Sequence, residues 1–273
     1  MSSFRADYEL LCAASPDWGR VALLPWDQKI FGFPVADLQL GPQPLQVRDL
    51  PPFRQALEEF CARTQARLIS THTAGHDMAS TARLVDAGFI PVEFSLLATL
   101  PRIDRAPLQP RRFTLRKAVP EDHAAICRIA GSAFHFGRYH TDPLFSRGLA
   151  NARYVHWVRN ALSGSDPNEF VFVLGRQGEA IGFMDISIGG THADLRLGAV
   201  DPGNGLGFAG FALYAEALRA LREAGATSAS AKIAAANTGV LNICARLGFQ
   251  FSQPEVALHW RPRAVCGDGV NSI

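Results

Sequence analysis

The order of hydrophobic patterns along the 273-residue chain predicts an α+β fold built on mixed, mostly antiparallel sheets flanked by helices. Three observations carry that prediction. Alternating segments come partly in succession, at Glu169–Gly175, Ala180–Ile188 and His192–Val200, and partly separated by stretches of helical period. The stretch Pro101–Arg112, with three prolines and four arginines, reads as an exposed connector between lobes of residues 1–100 and 113–262, leaving 263–273 as a flexible tail. The two lobes also carry a matching phrase, Leu84-Val85-Asp86-Ala87-Gly88-Phe89 and Cys244-Ala245-Arg246-Leu247-Gly248-Phe249, which hints at an internal duplication.

In the first lobe, Phe53, Leu57, Phe60 and Cys61 share one face of a helix over Pro51–Ala66. A strand follows at Arg67–Thr71, then a short helix from Met78 to Ala87 that Gly88 ends. The stretch Phe89–Leu100 alternates, and the pattern predicts a half-buried strand with Ile90, Val92, Phe94, Leu96, Ala98 and Leu100 inward. In the second lobe, Phe113–Ala118 reads as a strand. Pro120 then opens a helix whose buried face is Ile126, Ile129, Ala130 and Ala133. A helix over Ala150–Leu162 precedes the three successive strands. A glycine-rich loop and an amphipathic helix to Glu223 come next, then a strand at Thr227–Ala234, a short helix and a final strand from Phe249.

Composition narrows the function. Hydrophobic residues at 48% and charged residues at 19% supply a packed core and exclude a disordered chain. A net charge of +2, with basic residues scattered, argues against a nucleic-acid partner. The sequence has no run of eighteen apolar residues and no apolar leader at its start, so the expectation is a cytoplasmic protein without a membrane partner. Five cysteines without C-x-x-C spacing suit reduced thiols better than zinc, and neither His140 nor His156 has a second ligand at helical spacing, so no metal is expected.

The most informative segment runs from Leu197 to Phe249. A strand ends at Val200, Pro202 stops it, and Gly203–Gly210 holds four glycines before a helix. A helix start offers unpaired N–H groups, and glycine lets a phosphate approach them, so this loop can cradle a diphosphate or can be only a turn. The spacing of Val200-Asp201-Pro202, Gly205 to Gly210, Asn237 and Leu247-Gly248-Phe249 resembles the acetyl-CoA-binding core of the GNAT acyltransferase superfamily. Leu24-Pro25-Trp26-Asp27-Gln28-Lys29-Ile30-Phe31-Gly32-Phe33-Pro34 and Phe136-Gly137-Arg138-Tyr139-His140-Thr141-Asp142-Pro143 are similar to the dTDP-fucosamine acetyltransferase type, in which a truncated GNAT-like lobe precedes the catalytic one.

That resemblance implies two GNAT-like lobes, the second a splayed acyl-CoA N-acyltransferase fold. It implies acetyl-CoA or another acyl-CoA as donor and a small-molecule amine, such as a nucleotide-linked amino sugar, as acceptor. By the same resemblance Ala199 and Val200 supply backbone partners, Gly205, Leu206, Gly207, Phe208, Ala209 and Gly210 hold the diphosphate, and Asn237 reaches the pantetheine arm. Asp185, with Asp194 behind it, is the candidate base, each equally readable as a solvent-facing strand residue. Arg138, Tyr139, His140 and Tyr154 are the candidate acceptor contacts, or a surface loop with aromatic anchors.

Three positions depart from the family pattern. Gly205 stands where Arg or Gln is usual, Phe208 where a glycine is usual, and Cys244 where a tyrosine protonates the leaving thiolate. Cys244 is either a thiol acid or a small buried helix residue. The weakened loop keeps open a donor held on an acyl carrier protein, and the Cys244 exchange keeps open a ligand-binding protein without catalysis. The first lobe, lacking a glycine-rich loop, is expected to complete the acceptor cleft or form a homodimer face.

Overall fold

The computed structural model describes residues 6–108, 113–176, 178–204 and 207–263. Its elements, in chain order, begin with β1 (Glu9–Leu10), β2 (Gly19–Leu23), α1 (Pro25–Phe31), β3 (Val35–Leu40), α2 (Leu50–Thr64), β4 (Leu68–Ala74), α3 (Met78–Asp86) and β5 (Ile90–Leu100). They continue with β6 (Thr114–Lys117), α4 (His123–Ala133), α5 (Arg138–Thr141), α6 (Arg147–Leu162), β7 (Glu169–Arg176), β8 (Glu179–Gly189) and β9 (His192–Val200). The last are α7 (Ala209–Glu223), β10 (Ser228–Ala234), α8 (Thr238–Arg246), β11 (Gln250–Phe251) and β12 (Glu255–Trp260).

The chain forms two compact units, but not the contiguous lobes 1–100 and 113–262. Unit 1 takes the described residues up to Ser95 together with Arg138–Leu149 and the described residues from Gln253 on; unit 2 takes the described residues of Leu96–Gly137 and Ala150–Ser252. Backbone pairing decides the exchange. In unit 1 the strands run β1-β2-β3-β4-β12-β5, with β12 antiparallel to both β4 and β5. The expected connector is also partly structural: Ile103 is fully buried and its N–H donates to Thr227 O at 2.9 Å, while Gln109–Arg112 lie outside the described residues.

The expected inward face of β5 is corrected too. Ile90 and Phe94 are exposed, whereas Val92, Ser95 and Ala98 are buried. The ladder with β12 shifts register at Ala257/Leu258, stepping from Glu93 to Pro91, so strict alternation does not survive.

Unit 1 packs α2 and α3 on its sheet through Phe53, Leu57, Phe60, Leu84 and Trp260. Unit 2 orders its strands β10-β9-β8-β7-β6, with the second half of β5 beside β10 and β11 paired to it. Both faces of this sheet are covered. Helix α7 packs on one through Leu213, Leu218 and Leu221, and α4 with α6 on the other through Ile126, Ile129 and Val158. Helix α7 forms where glycines give way to a run of good helix formers, and Gly225, at φ +89°, ends it.

The hinted duplication is structural. Asp77 and Asn237 cap α3 and α8 with nearly the same backbone, φ −85°, ψ 68° and φ −84°, ψ 66°, each side chain accepting from the N–H three residues on. At the other ends Gly88 and Gly248 take φ +100° and +87°, and Phe89 and Phe249 return N–H bonds to Leu84 and Cys244.

Candidate functional site

The opening in unit 2 follows from where two parallel strands stop pairing. β9 and β10 are in register only from His192↔Ser228 to Asp194↔Ser230, while β9 runs on to Val200 along β8. Asp201 N–H donates to Ile181 O on the β8 side, so by strand alternation Ala199 turns its amide the same way. The amides of Gly198 and Val200 therefore face the opening left beside β10. Of the two expected backbone partners, Val200 turns its amide to that opening and Ala199 turns its amide toward β8.

Beyond β9, helix α7 starts with Phe208 as N-cap, whose side chain makes no cap hydrogen bond. The contrast with α3 and α8, both capped by side chains, marks these amides as available to an anion. A Cβ added at Gly207 would meet nothing within 4 Å, so the approach to the amides is clear. Phe208 is 49% exposed and packs at 5.7 Å against Phe113; Ala209 is fully buried and Gly210 lies against Ile243. Gly205 and Leu206 lie outside the described residues. Asn237 uses its side-chain oxygen to cap α8 at Val240 N–H, 3.2 Å away, which leaves its amide nitrogen for a ligand.

Asp185 lies on β8 opposite Leu197, one residue from Gly198. It is fully buried, not solvent-facing, because both faces of this sheet carry helices. Trp157 Nε1 donates to its Oδ2 at 2.9 Å, Arg196 Nε stands 4.0 Å away, and Oδ1 has no hydrogen-bond partner among the described residues. Arg196 also donates to Glu169 at 2.6 Å and lies over the Trp157 ring. Burial first, then the charge of Glu169, push the Asp185 carboxyl up to about 7, against the pull of Arg196 and the indole. Asp194 accepts from Ser230 Oγ at 3.2 Å, three residues before Leu197 and about 10 Å along the strand from it.

Cys244 is fully buried, which fits the reading of a small buried helix residue, and burial pushes its thiol up to about 12, which makes it a weak acid.

The four acceptor candidates are divided between the units. Arg138, Tyr139 and His140 belong to unit 1, Tyr154 to unit 2. Tyr139 takes the aromatic-anchor reading: it is 2% exposed, its hydroxyl donates to Asp27 at 2.9 Å, and Phe31 and Phe145 pack on its ring. Arg138 donates its backbone N–H to Glu93 at 2.5 Å and its guanidinium to His72 at 3.1 Å. Tyr154 stacks on Phe134 with ring centroids 4.3 Å apart. His140 is half-buried on α5. Asp142, noted in the sequence within the Phe136–Pro143 phrase but given no role there, anchors this segment: it accepts from His259 Nδ1 at 2.6 Å and from Arg261 and is 1% exposed.

In unit 2, two parallel strands that part after three pairs thus lie before a helix whose N-cap side chain gives no cap bond, and comparison with known proteins supplies the family. The chain belongs to the GNAT acetyltransferase family: the model described as "Acetyltransferase (GNAT) domain" matches residues 112–250, just over half of it. A curated relative is the spore coat polysaccharide biosynthesis protein SpsD of Bacillus subtilis (strain 168), 36% identical over 94 residues, which are 34% of this chain and 32% of that protein. The chain thus spans about a third of the length of that relative. Among solved structures, a GCN5-related N-acetyltransferase from Sphaerobacter thermophilus matches with TM-score 0.61 at 17% identity, covering 90% of this chain and 78% of that one. A tandem GNAT protein from the clavulanic acid biosynthesis pathway matches with TM-score 0.56 at 15% identity, covering 89% and 78%. At these identities the structural matches speak for the fold.

Proposed function

We propose that this GNAT protein moves an acetyl or other short acyl group from acyl-CoA to an amine, and that the acceptor is a nucleotide-linked amino sugar or a similar small molecule. The observation that carries the reading is the three-residue pairing of β9 with β10, which leaves the Gly198 and Val200 amides unpaired next to the uncapped start of α7. The residues suit CoA. The α7 amides hold the diphosphate, Asn237 Nδ2 meets the pantetheine amides, and the Gly198 or Val200 N–H holds the thioester carbonyl oxygen as negative charge gathers there.

The acceptor amine attacks the carbonyl carbon directly, and the CoA thiol leaves as thiolate. Thiolate is a good leaving group, so the burial of Cys244 does not stop the reaction. We assign the amine's proton to Asp185 acting with Glu169: the Glu169 side chain keeps 12% exposure and Asp185 has none, so the pair takes up the proton through Glu169. The amino-sugar reading is supported by the Bacillus relative, a spore coat polysaccharide biosynthesis protein.

The test is calorimetric titration with acetyl-CoA, followed by thiol release across a panel of nucleotide-linked amino sugars and simple amines. Saturable binding with turnover on an amino sugar is expected. Absence of acetyl-CoA binding would overturn the reading, and turnover only on unrelated amines would overturn its acceptor.

A further inference from the structure

Unit 1 carries an opening of its own between parallel strands. β3 and β4 pair only from Val35↔Leu68 to Leu38↔Thr71, where Thr71 Oγ1 donates to Leu38 O at 2.7 Å. Beyond that point each strand stays with its outer neighbour, β3 with β2 as far as Leu40↔Gly19 and β4 with β12 as far as Ala74↔Glu255. The gap between them is a cavity of about 230 Å³, walled by Trp18, Leu40, His72, Thr73 and Asp77, all of unit 1. A drug-sized site occupies roughly 300–1,000 Å³, so this one suits a single ring or a short chain and not a nucleotide.

Its chemistry is the reverse of the opening in unit 2, where a helix start offers amides to an anion. Here the helix after β3 has few to offer. Pro51 and Pro52 stand in the first turn of α2 without N–H groups, Pro42 and Pro44 interrupt the loop before it, and the Gln46 N–H already donates to Asp49 at 3.0 Å. No lysine or arginine lines the cavity. Arg138 donates to His72 Nε2 at 3.1 Å, so that imidazole is neutral. The one formal charge on the walls is Asp77, in the place that neutral Asn237 holds in unit 2. The N–H of Ser80 keeps its carboxyl below the ordinary carboxylate range, so it is ionised at neutral pH. A carboxylate and an indole ring on the walls of one small cavity are the pairing that holds an organic ammonium.

We propose that the opening in unit 1 is a second ligand site, which takes a small primary amine no larger than one sugar ring, its ammonium on Asp77 and its body against Trp18. The site stands on the geometry of unit 1 and does not depend on the acyl-CoA reading. The two copies of the repeat then differ in the sign of the charge they receive.

The experiment titrates the full chain calorimetrically, without acetyl-CoA, with glucosamine, 1,5-diaminopentane and N-acetylglucosamine, the last keeping the ring without the charge. At least one amine is expected to bind saturably and on the order of tenfold or more tighter than N-acetylglucosamine, and the tighter of the two tells a ring from an open chain. Asp77→Asn keeps the α3 cap, as Asn237 does for α8, and is expected to erase that advantage. Trp18→Phe keeps an aromatic contact with Phe53 and is expected to weaken the amine several-fold. Melting curves and acetyl-CoA titrations of both variants report separately on the fold. Absence of any preference for an amine, or a preference that survives Asp77→Asn, overturns this inference and leaves the acyl-CoA reading standing. A wild type that binds an amine through Asp77 but no acetyl-CoA overturns the acyl-CoA reading and supports this one.

Discussion

Cys244 occupies in α8 the place that Leu84 occupies in α3: each is buried, and each accepts the returning N–H of the phenylalanine five residues on. One copy fills the position with a hydrocarbon, so the other needs no chemistry from its sulfur. Cys244→Ala should therefore leave kcat and its pH profile unchanged and lower thermal stability modestly, by about 1 kcal/mol for a small cavity. Melting curves alongside thiol-release assays check this; a fall in kcat without loss of fold would restore the acid role.

Asp185 should set the acid limb of the rate. With its carboxyl raised to about 7, turnover rises through that pH as the group ionises. Asp185→Asn keeps an acceptor for Trp157 Nε1, and should flatten the limb and lower kcat/KM by roughly 10²–10⁴. An unchanged profile would remove Asp185 from the mechanism.

The same group carries a stability signature. Its folded pKa lies above its unfolded value near 4, so the native state holds the extra proton and stability falls as pH rises from about 4 to about 7. Asp185→Asn removes that slope. Its stability gain over the wild type should grow across this window and level off above it, as urea titrations at stepped pH would read.

The two helix caps differ in one testable way. The backbone N–H of Ser80 holds the Asp77 carboxyl below the ordinary carboxylate range, so its contribution is present above the unfolded pKa and is lost as pH falls through the lowered value. Asn237 does not titrate. Both Asp77→Ala and Asn237→Ala should cost about 1 kcal/mol at neutral pH. In acid only the Asp77 variant should converge on the wild type.

Asp142 should be the costliest single carboxylate in unit 1. Burial, then the charge of Arg138, lower His259 to about 3 against the pull of Asp27, so the imidazole stays neutral and Asp142 accepts its Nδ1–H. Asp142→Ala leaves that buried donor unmatched and removes the carboxylate that Arg261 contacts, an expected loss of about 3–5 kcal/mol. Because unfolded His259 binds a proton that the native state refuses, its share of stability is lost as pH falls from about 6.5 toward 3. His259→Gln should reduce that acid sensitivity.

Much of unit 2 was legible because its patterns are long and local. The expected strand His192–Val200 has those bounds, and α7 and α8 fall where glycines and periodicity place them. The stretch before Leu50 was not legible, because β1, β2, α1 and β3 run two to seven residues and show no sustained period. Strand exchange was hidden for another reason: the neighbours of Glu255–Trp260 lie about 160 to 190 residues upstream, and hydrophobicity alone does not name a partner. Alternation also misread Asp185, since a sheet covered on both faces has no solvent side. Its companions Glu169, Arg196 and Trp157 are scattered over three elements and meet only in the fold.

The insertion of β12 between β4 and β5 bears on how the molecule is made. During synthesis, β4 and β5 leave the ribosome more than 150 residues before the segment that joins them, and until then each has an edge ready to pair with another chain. The N-terminal unit is thus the first to be translated and the last to close, and a message cut short before Glu255 yields a nascent chain with no means of sealing it.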